Sequence, residues 1–536
     1  MYYTEPEFEP RPPLDKREVA LTLILVIAWL LPGLFGHEPW KPDEAYNFGL
    51  IYHMMQSGNW LFLHLPGEHP FASPPLFYMT AALFGKLFAP FVSLPDALRL
   101  ATGFYMGLSL LFTGLASRIL YGRGSYAVLI MAGSLGLLGH AHQLVADSAL
   151  FAGCSLAILG FCLYGEKAFL GGALAGLGMC MGFLSKGFIA FAYFVPLLAL
   201  LPFFKPWRSL RYLAFLGSAC VFLLPSAIWP YLLHQSHPEL YSSWLKSSTS
   251  LSLGLKHDAH ASPFFYLGVL PWFAWPTLPL AAASIWREKG RLFEEDILFP
   301  LIMFLTMLAV LMVSATQREI YAMPMLLPLS LLAASGIDSL RRGATSAFNW
   351  FGILTFGLLA SVLWIGWIAM MTGHPEYIAG RIHHYHPHYS AHFGLFSFLP
   401  ALGATLLWAM LATGNKRNGK RAVINWASGV AMVWMLLMTI WLPFLDSVKG
   451  YREMFHSMKA SIPPHYGCIE GMHVGDAQRA MLDYYLGIDL ARNKTCKLVL
   501  IQSIASNRQH PDGLKLLWQG ARAGDRHERY RLYVRN

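Results

Sequence analysis

Two acids and two bases stand at the ends of apolar runs, where a lipid-borne substrate could meet them. Asp43 lies in Lys41-Pro42-Asp43-Glu44-Ala45-Tyr46, and Asp147 closes His140-Ala141-His142-Gln143-Leu144-Val145-Ala146-Asp147. A carboxylate at a membrane boundary needs partners, because desolvation penalises its charge. Either acid could simply cap a following helix by accepting backbone N–H bonds. The pair, on one face and beside basic residues, points instead to catalysis. Lys186 ends Gly182-Phe183-Leu184-Ser185-Lys186-Gly187, and Arg318 falls in Ala315-Thr316-Gln317-Arg318-Glu319-Ile320-Tyr321. A lysine in such a tight turn can snorkel to headgroups, or it can hold a lipid phosphate. Lys256, in a neighbouring loop, could join them.

Histidine forms a further cluster. His374, His383, His384, His386, His388 and His392 share one loop, and His257 and His260 share another. Their spacing defines no ligand geometry, so a polar loop that contacts headgroups or an acceptor is the plainer reading. No cofactor is assigned; a divalent metal is left open, with Glu68, His257 and His260 as weak candidate ligands.

These residues depend on elements that composition already restricts. The chain has 536 residues, 55% hydrophobic and only 13% charged, with mean hydropathy +0.43. Soluble proteins carry roughly a quarter of their residues as charges. The charge is also unevenly placed: residues 446–536 hold 14 Lys+Arg and 9 Asp+Glu. This predicts an α-helical polytopic membrane domain over 1–445 and a small soluble α/β domain over 446–536.

Windows of about 18 or more apolar residues mark about thirteen spans. They centre in 18–35, 98–119, 125–144, 147–165, 168–185, 188–204, 211–233, 264–286, 295–314, 319–337, 347–371, 394–413 and 422–443. The first has no cleavage-site pattern and is expected to be retained. The apolar segment 75–91, flanked by prolines and carrying Lys86, is expected to lie at the interface. With the N-terminus inside, the inner segments hold 18 Lys+Arg, against seven in the longer outer loops 36–97, 234–263 and 371–393 and the short outer turns. The positive-inside bias puts the N-terminus in the cytoplasm and, with an odd number of spans, the tail outside. In a bacterium this is an inner-membrane protein with a periplasmic tail. The net charge of +10 is largely a topology signal, and no phosphate-binding glycine loop appears. Nucleic acid is not an expected partner.

After the first span, Pro42–Tyr52 starts like a helix, with proline and acids in its first turn. Tyr46, Leu50, Ile51 and Met54 follow helical spacing, which predicts an amphipathic helix on the membrane surface. In the tail, Tyr451–Ala460 and Ala477–Tyr485 read as helices. Lys497–Ile501, Leu514–Trp518 and Arg529–Val534 read as strands. Cys468 and Cys496 would face an oxidising compartment, where a disulfide and two separate thiols are both open.

Taken in order, the motifs resemble those of the GT-C class of polytopic glycosyltransferases that use lipid-linked sugars. They are similar above all to the bacterial aminoarabinose lipid A transferases and the protein O-mannosyltransferases. The resemblance rests on Lys41-Pro42-Asp43-Glu44-Ala45, Ser73-Pro74-Pro75-Leu76-Phe77-Tyr78, Ala146-Asp147, Phe183-Leu184-Ser185-Lys186-Gly187 and Arg318-Glu319-Ile320-Tyr321-Ala322-Met323-Pro324. Gly475–Tyr485 and Gly524–Tyr533 resemble the tail of the bacterial branch. The resemblance implies a polyprenyl-phosphate sugar donor and a lipid or glycan acceptor such as lipid A, with membrane lipids around both. It makes Asp43 the base and Asp147 its support. Lys186, Arg318 and Tyr321 would hold the donor phosphate. Apart from the resemblance, Glu44 and Lys256 are read as further substrate contacts. Two departures stand out: Ala72-Ser73 replace the Glu-Lys usual before Pro-Pro, and Tyr46 stands where relatives often carry Arg. Two other classes remain open. A transporter or flippase would carry ionisable residues at mid-membrane depth, and a non-catalytic relative would bind polyprenyl phosphate without turnover.

Overall fold

The computed structural model describes residues 13, 15–65, 70–252, 262–314, 316–387, 389–414, 418–491, 495–504, 513–525 and 527–535. Helices dominate. Six of the described helices are long and apolar enough to cross a membrane, or up to eight if each of two bent pairs counts as one span. All thirteen expected segments contain helix, but several are not single long helices. The segment 125–144 divides into Ser125–Ala132 and Leu135–His140 at Gly133-Ser134. Phe265–Phe273 and Thr277–Arg287 meet at 95°, with Pro276 between them. Proline supplies no N–H there and disfavours helical backbone in the residue before it. The 319–337 segment begins as a 3₁₀ turn, Glu319–Met325, before the helix Leu326–Ser335.

The helices Asp147–Cys162 and Ala168–Lys186 form a tight antiparallel hairpin. Small residues let the two backbones touch: a Cβ added at Gly153 would meet Gly178 O and Gly182 N at 2.7 Å. Such close approach is how small residues drive helix packing without a hydrophobic force. Because the connection is short, the first residue of one helix and the last of the next come to the same end. Those residues are Asp147 and Lys186.

The tail forms one five-stranded sheet from β1 (Ile469–Met472), β2 (Leu490–Ala491), β3 (Leu498–Ile504), β4 (Leu514–Gly520) and β5 (Glu528–Arg535), in the order β2-β1-β3-β5-β4. β2, β1 and β3 are parallel; β5 is antiparallel to both β3 and β4. The three strands read from sequence are β3, β4 and β5. The short β1 and β2 carry Glu, Gly and Ala and give no run of β-branched residues. Cys468 and Cys496 are joined, with Cα atoms 5.5 Å apart.

The helix Asp43–Ser57 corrects one expectation. It does not lie as a free amphipathic helix with a single buried face: Glu44, Ala45, Asn47, Phe48, Gly49, Leu50, Ile51 and Met54 are all buried. It is enclosed between the helix Leu76–Phe88, expected at the interface, and the tail helix Asp476–Leu486. A Cβ on Gly49 would sit 2.1 Å from the Ala480 Cβ, so glycine is what lets the tail helix close on it. One continuous core joins Phe48, Leu50 and Met54 to Phe77 and Tyr105, and to Phe455, Met481, Leu500 and Leu532 of the tail.

Candidate active site

Asp43 opens its helix at the end of the loop that follows Lys16–Leu30, and its carboxylate forms an ion pair with Arg318. Arg318 is delivered by the extended stretch before Glu319–Met325 and is fixed from behind. The Tyr266 hydroxyl donates to the Arg318 carbonyl at 3.3 Å. Asp147 Oδ2 lies 2.8 Å from Lys186 Nζ. The ammonium also stands 5.5 Å from the centre of the Tyr321 ring, within cation–π range. Five residues expected from sequence, Asp43, Asp147, Lys186, Arg318 and Tyr321, therefore converge from four separate parts of the chain. Neither acid is the cap of its helix: Asp43 and Asp147 are the first helical residues, after Pro42 and Ala146, and each carboxylate is engaged with a cation.

A cavity of about 130 Å³ opens here, lined by Asp147, Lys186, Tyr193, Ser248, Thr316 and Tyr321. Ile189 and Leu311 close it. The helices that bear them, Ile189–Leu200 and Glu295–Val313, also frame an open apolar groove of about 640 Å³, lined by Ala192, Pro196, Leu200, Ile302 and Leu305. Charged groups at one end and a hydrocarbon groove along the same helices suit an amphipathic ligand with an anionic head.

Glu44 does not reach this cavity. It is 4% exposed and turns inward, where Arg99 Nε meets its Oε1 at 2.5 Å and the Trp40 N–H meets Oε2 at 3.1 Å. Burial alone would raise its carboxyl, but Arg99, His37 and the Trp40 N–H outweigh it and hold the group below the usual carboxylate range. In this structure the Glu44 carboxylate is desolvated and paired with Arg99 rather than turned to the cavity.

Arg99 was missed in the sequence, where it falls within an expected span. It is fully buried, donates also to Asp96 at 2.7 Å and to the His37 carbonyl at 2.6 Å, and fixes the loop into Asp43. A lone arginine early in an apolar segment was the available signal, since buried charges require partners. The same loop is tied to the tail: Lys41 Nζ meets Glu528 Oε1 at 2.5 Å, and Trp40 Nε1 donates to Asp446 Oδ1 at 2.9 Å.

Glu68, Lys256, His257 and His260 lie outside the described residues. Among the described residues, no three His, Cys, Asp or Glu side chains come together as a metal site. His383 and His384 are exposed on the helix Glu376–Tyr385, while His386 is buried 3.7 Å from Glu453. The departure at Ala72-Ser73 also has a place: Ala72 packs against the aromatic cluster of Phe183, Trp229 and Trp244.

No family model matches the chain. The undecaprenyl phosphate-α-4-amino-4-deoxy-L-arabinose arabinosyl transferase 2 of Pseudomonas fluorescens is 30% identical over 381 residues, which cover 67% of this chain and 64% of that one. The corresponding transferase of Pseudomonas aeruginosa is 28% identical over 436 residues, 78% of this chain and 74% of that one. The crystal structure of ArnT from Cupriavidus metallidurans bound to undecaprenyl phosphate superposes with a TM-score of 0.67 over 97% of this chain and 98% of that one, at 15% identity. That superposition defines the fold as GT-C. The chain has the GT-C fold and is a glycosyltransferase, similar in sequence to the bacterial aminoarabinose transferases.

Proposed function

We propose that this protein transfers a sugar from a polyprenyl-phosphate donor to an envelope acceptor such as lipid A or another glycolipid. The observation that carries this reading is the convergence of Asp43–Arg318 and Asp147–Lys186–Tyr321 at the head of an apolar groove. The named relatives act on undecaprenyl phosphate-linked aminoarabinose, and the sugar here is taken to be a related pyranosyl unit.

The donor's polyprenyl chain lies in the groove and its phosphate meets Lys186 and Arg318. As the phosphate draws the Arg318 guanidinium, the Asp43 carboxylate is freed to accept a proton from the acceptor hydroxyl or phosphate. The acceptor oxygen attacks the anomeric carbon while the bond from that carbon to the phosphate oxygen breaks, in one displacement with inversion. Lys186 and Arg318 stabilise the departing phosphate, as cations fixed in advance do most effectively. Asp147 acts by holding Lys186 in place, and Tyr321 supplies an aromatic wall to the same ammonium.

We place the site on the periplasmic face of the bacterial inner membrane, with the N-terminus cytoplasmic, thirteen crossings and the tail 446–536 outside. The lysine and arginine asymmetry supports this orientation. The test is transfer by the purified protein from an undecaprenyl-phosphate sugar, with lipid mass spectrometry of cells with and without the protein. Loss of one hexose, aminosugar or pentose mass from an envelope lipid would identify the group. Unchanged lipids, together with bound polyprenyl phosphate and no turnover, would favour a non-catalytic relative, the reading that Ala72-Ser73 motivates.

A further inference from the structure

Two residues before Asp43, Lys41 lines a separate open recess of about 430 Å³. Its wall also takes Lys449 from the end of the helix Leu442–Lys449, and Arg522, Asp525 and His527 from the turn between β4 and β5. The acid is already occupied: Asp525 accepts from Arg522 at 2.5 Å and from the backbone N–H groups of His527 and Glu528 at 2.9 and 3.1 Å. Lys41 is held by Glu528.

What remains is cationic. The Lys449 ammonium stands 4.5 Å from the centre of the Trp40 ring and has no ion pair among the described residues. The Arg522 side chain is 9% exposed, and its buried Nε has no hydrogen-bond partner among them. A buried guanidinium N–H without an acceptor is costly, and native structures rarely leave one so. An anion that offers only acceptors, as a phosphate does, is the ligand chemistry that Lys449 and Arg522 on this wall match.

Its rim gives the depth. Tyr385 overhangs the recess, and a Cβ on Gly524 would come within 3.4 Å of that ring. Tyr377, Tyr385, Phe393 and Phe396 are exposed along this stretch with Arg381. Exposed aromatic and basic residues together mark the headgroup level of a bilayer.

We propose that this recess is a second anion site, separate from the Lys186–Arg318 cluster, which binds the phosphate monoester of a membrane lipid through Lys449, Arg522 and His527. The proposal goes beyond the transfer reaction and does not require it.

Native mass spectrometry of the full chain in detergent, titrated with dioleoyl phosphatidic acid, tests it. The wild type should retain two lipids. Lys449→Gln should retain one, with occupancy of the second site about tenfold weaker, and His527→Gln should weaken the same site. Lys186→Gln should lose the other lipid, so failure at the transferase site is read separately. Excess inorganic phosphate distinguishes sources: displacement of the Lys449-dependent molecule means that phosphate alone suffices, and its persistence means that the lipid is the ligand. Two lipids on both Lys449→Gln and His527→Gln, or equal retention of dioleoyl phosphatidylcholine, would overturn the proposal.

Discussion

Asp147 Oδ2 lies 2.8 Å from Lys186 Nζ, joining the first residue of one helix to the last residue of the next. The pair exists because the glycine faces of the hairpin bring the two helices into backbone contact. It is the hinge between architecture and chemistry, since the same ammonium lines the cavity.

Removing one partner of this pair should cost more than removing both. Lys186→Met leaves Asp147 mostly buried without a counter-charge, and should destabilise the protein by about 2–4 kcal/mol. Lys186→Met with Asp147→Asn should recover most of that stability while transfer stays lost. Thermal unfolding beside a transfer assay checks both halves; parallel recovery of activity would place Lys186 outside the reaction.

Glu44 should behave as a positioning residue. Glu44→Gln leaves the Arg99 guanidinium short of a charged acceptor in the core, with a stability loss of about 3 kcal/mol. Transfer should fall mainly through kcat, because the loop carrying Asp43 loosens while the donor contacts remain. Circular dichroism melts and a kcat-against-KM comparison read this directly. A change confined to KM would return Glu44 to the substrate.

The tail should weaken in acid. Burial would raise Asp525, but the His527 and Glu528 N–H groups and Arg522 hold its carboxyl down at about 2, below its ordinary 3.8. A depressed pKa contributes stability above the unfolded value, and that contribution is lost as pH falls from about 3.8 towards 2. Trp518 fluorescence during acid titration should show this transition, and Asp525→Asn should flatten it.

Reducing Cys468–Cys496, which spans 28 residues, should lower tail stability by about 3–4 kcal/mol. Because the tail shares its core with Phe48 and Met54, the loss should reach the Asp43 helix. Hydrogen exchange of that helix with and without reductant measures it; protection unchanged by reduction would mean that the two are energetically independent.

Most of the candidate site was legible because its members are polar residues at the ends of apolar runs. Asp43, Asp147, Lys186 and Arg318 advertise themselves where hydrocarbon-facing sequence stops. Their pairing was not legible, since Asp43 and Arg318 meet only through tertiary packing. Arg99 was hidden for a different reason: hydropathy averages over a window, so one buried cation disappears into the helix Leu94–Tyr121. The breaks inside spans, at Gly133-Ser134 and Trp275-Pro276, were not legible, because each interrupts the helix without lowering its hydropathy. The tail's helices and longer strands followed their periodicity. Its closure over the Asp43 helix did not, because the Gly49–Ala480 approach joins positions hundreds of residues apart.

The central claim is that Asp43 takes the acceptor's proton at a site whose cations hold the donor phosphate. The most direct measurement is single-turnover transfer from an undecaprenyl-phosphate sugar by the wild type and Asp43→Asn, with donor binding measured on the same samples. The account predicts that Asp43→Asn binds the donor within a few-fold of the wild type and transfers about 10²–10⁴-fold more slowly. Equal transfer rates at equal donor occupancy would contradict it.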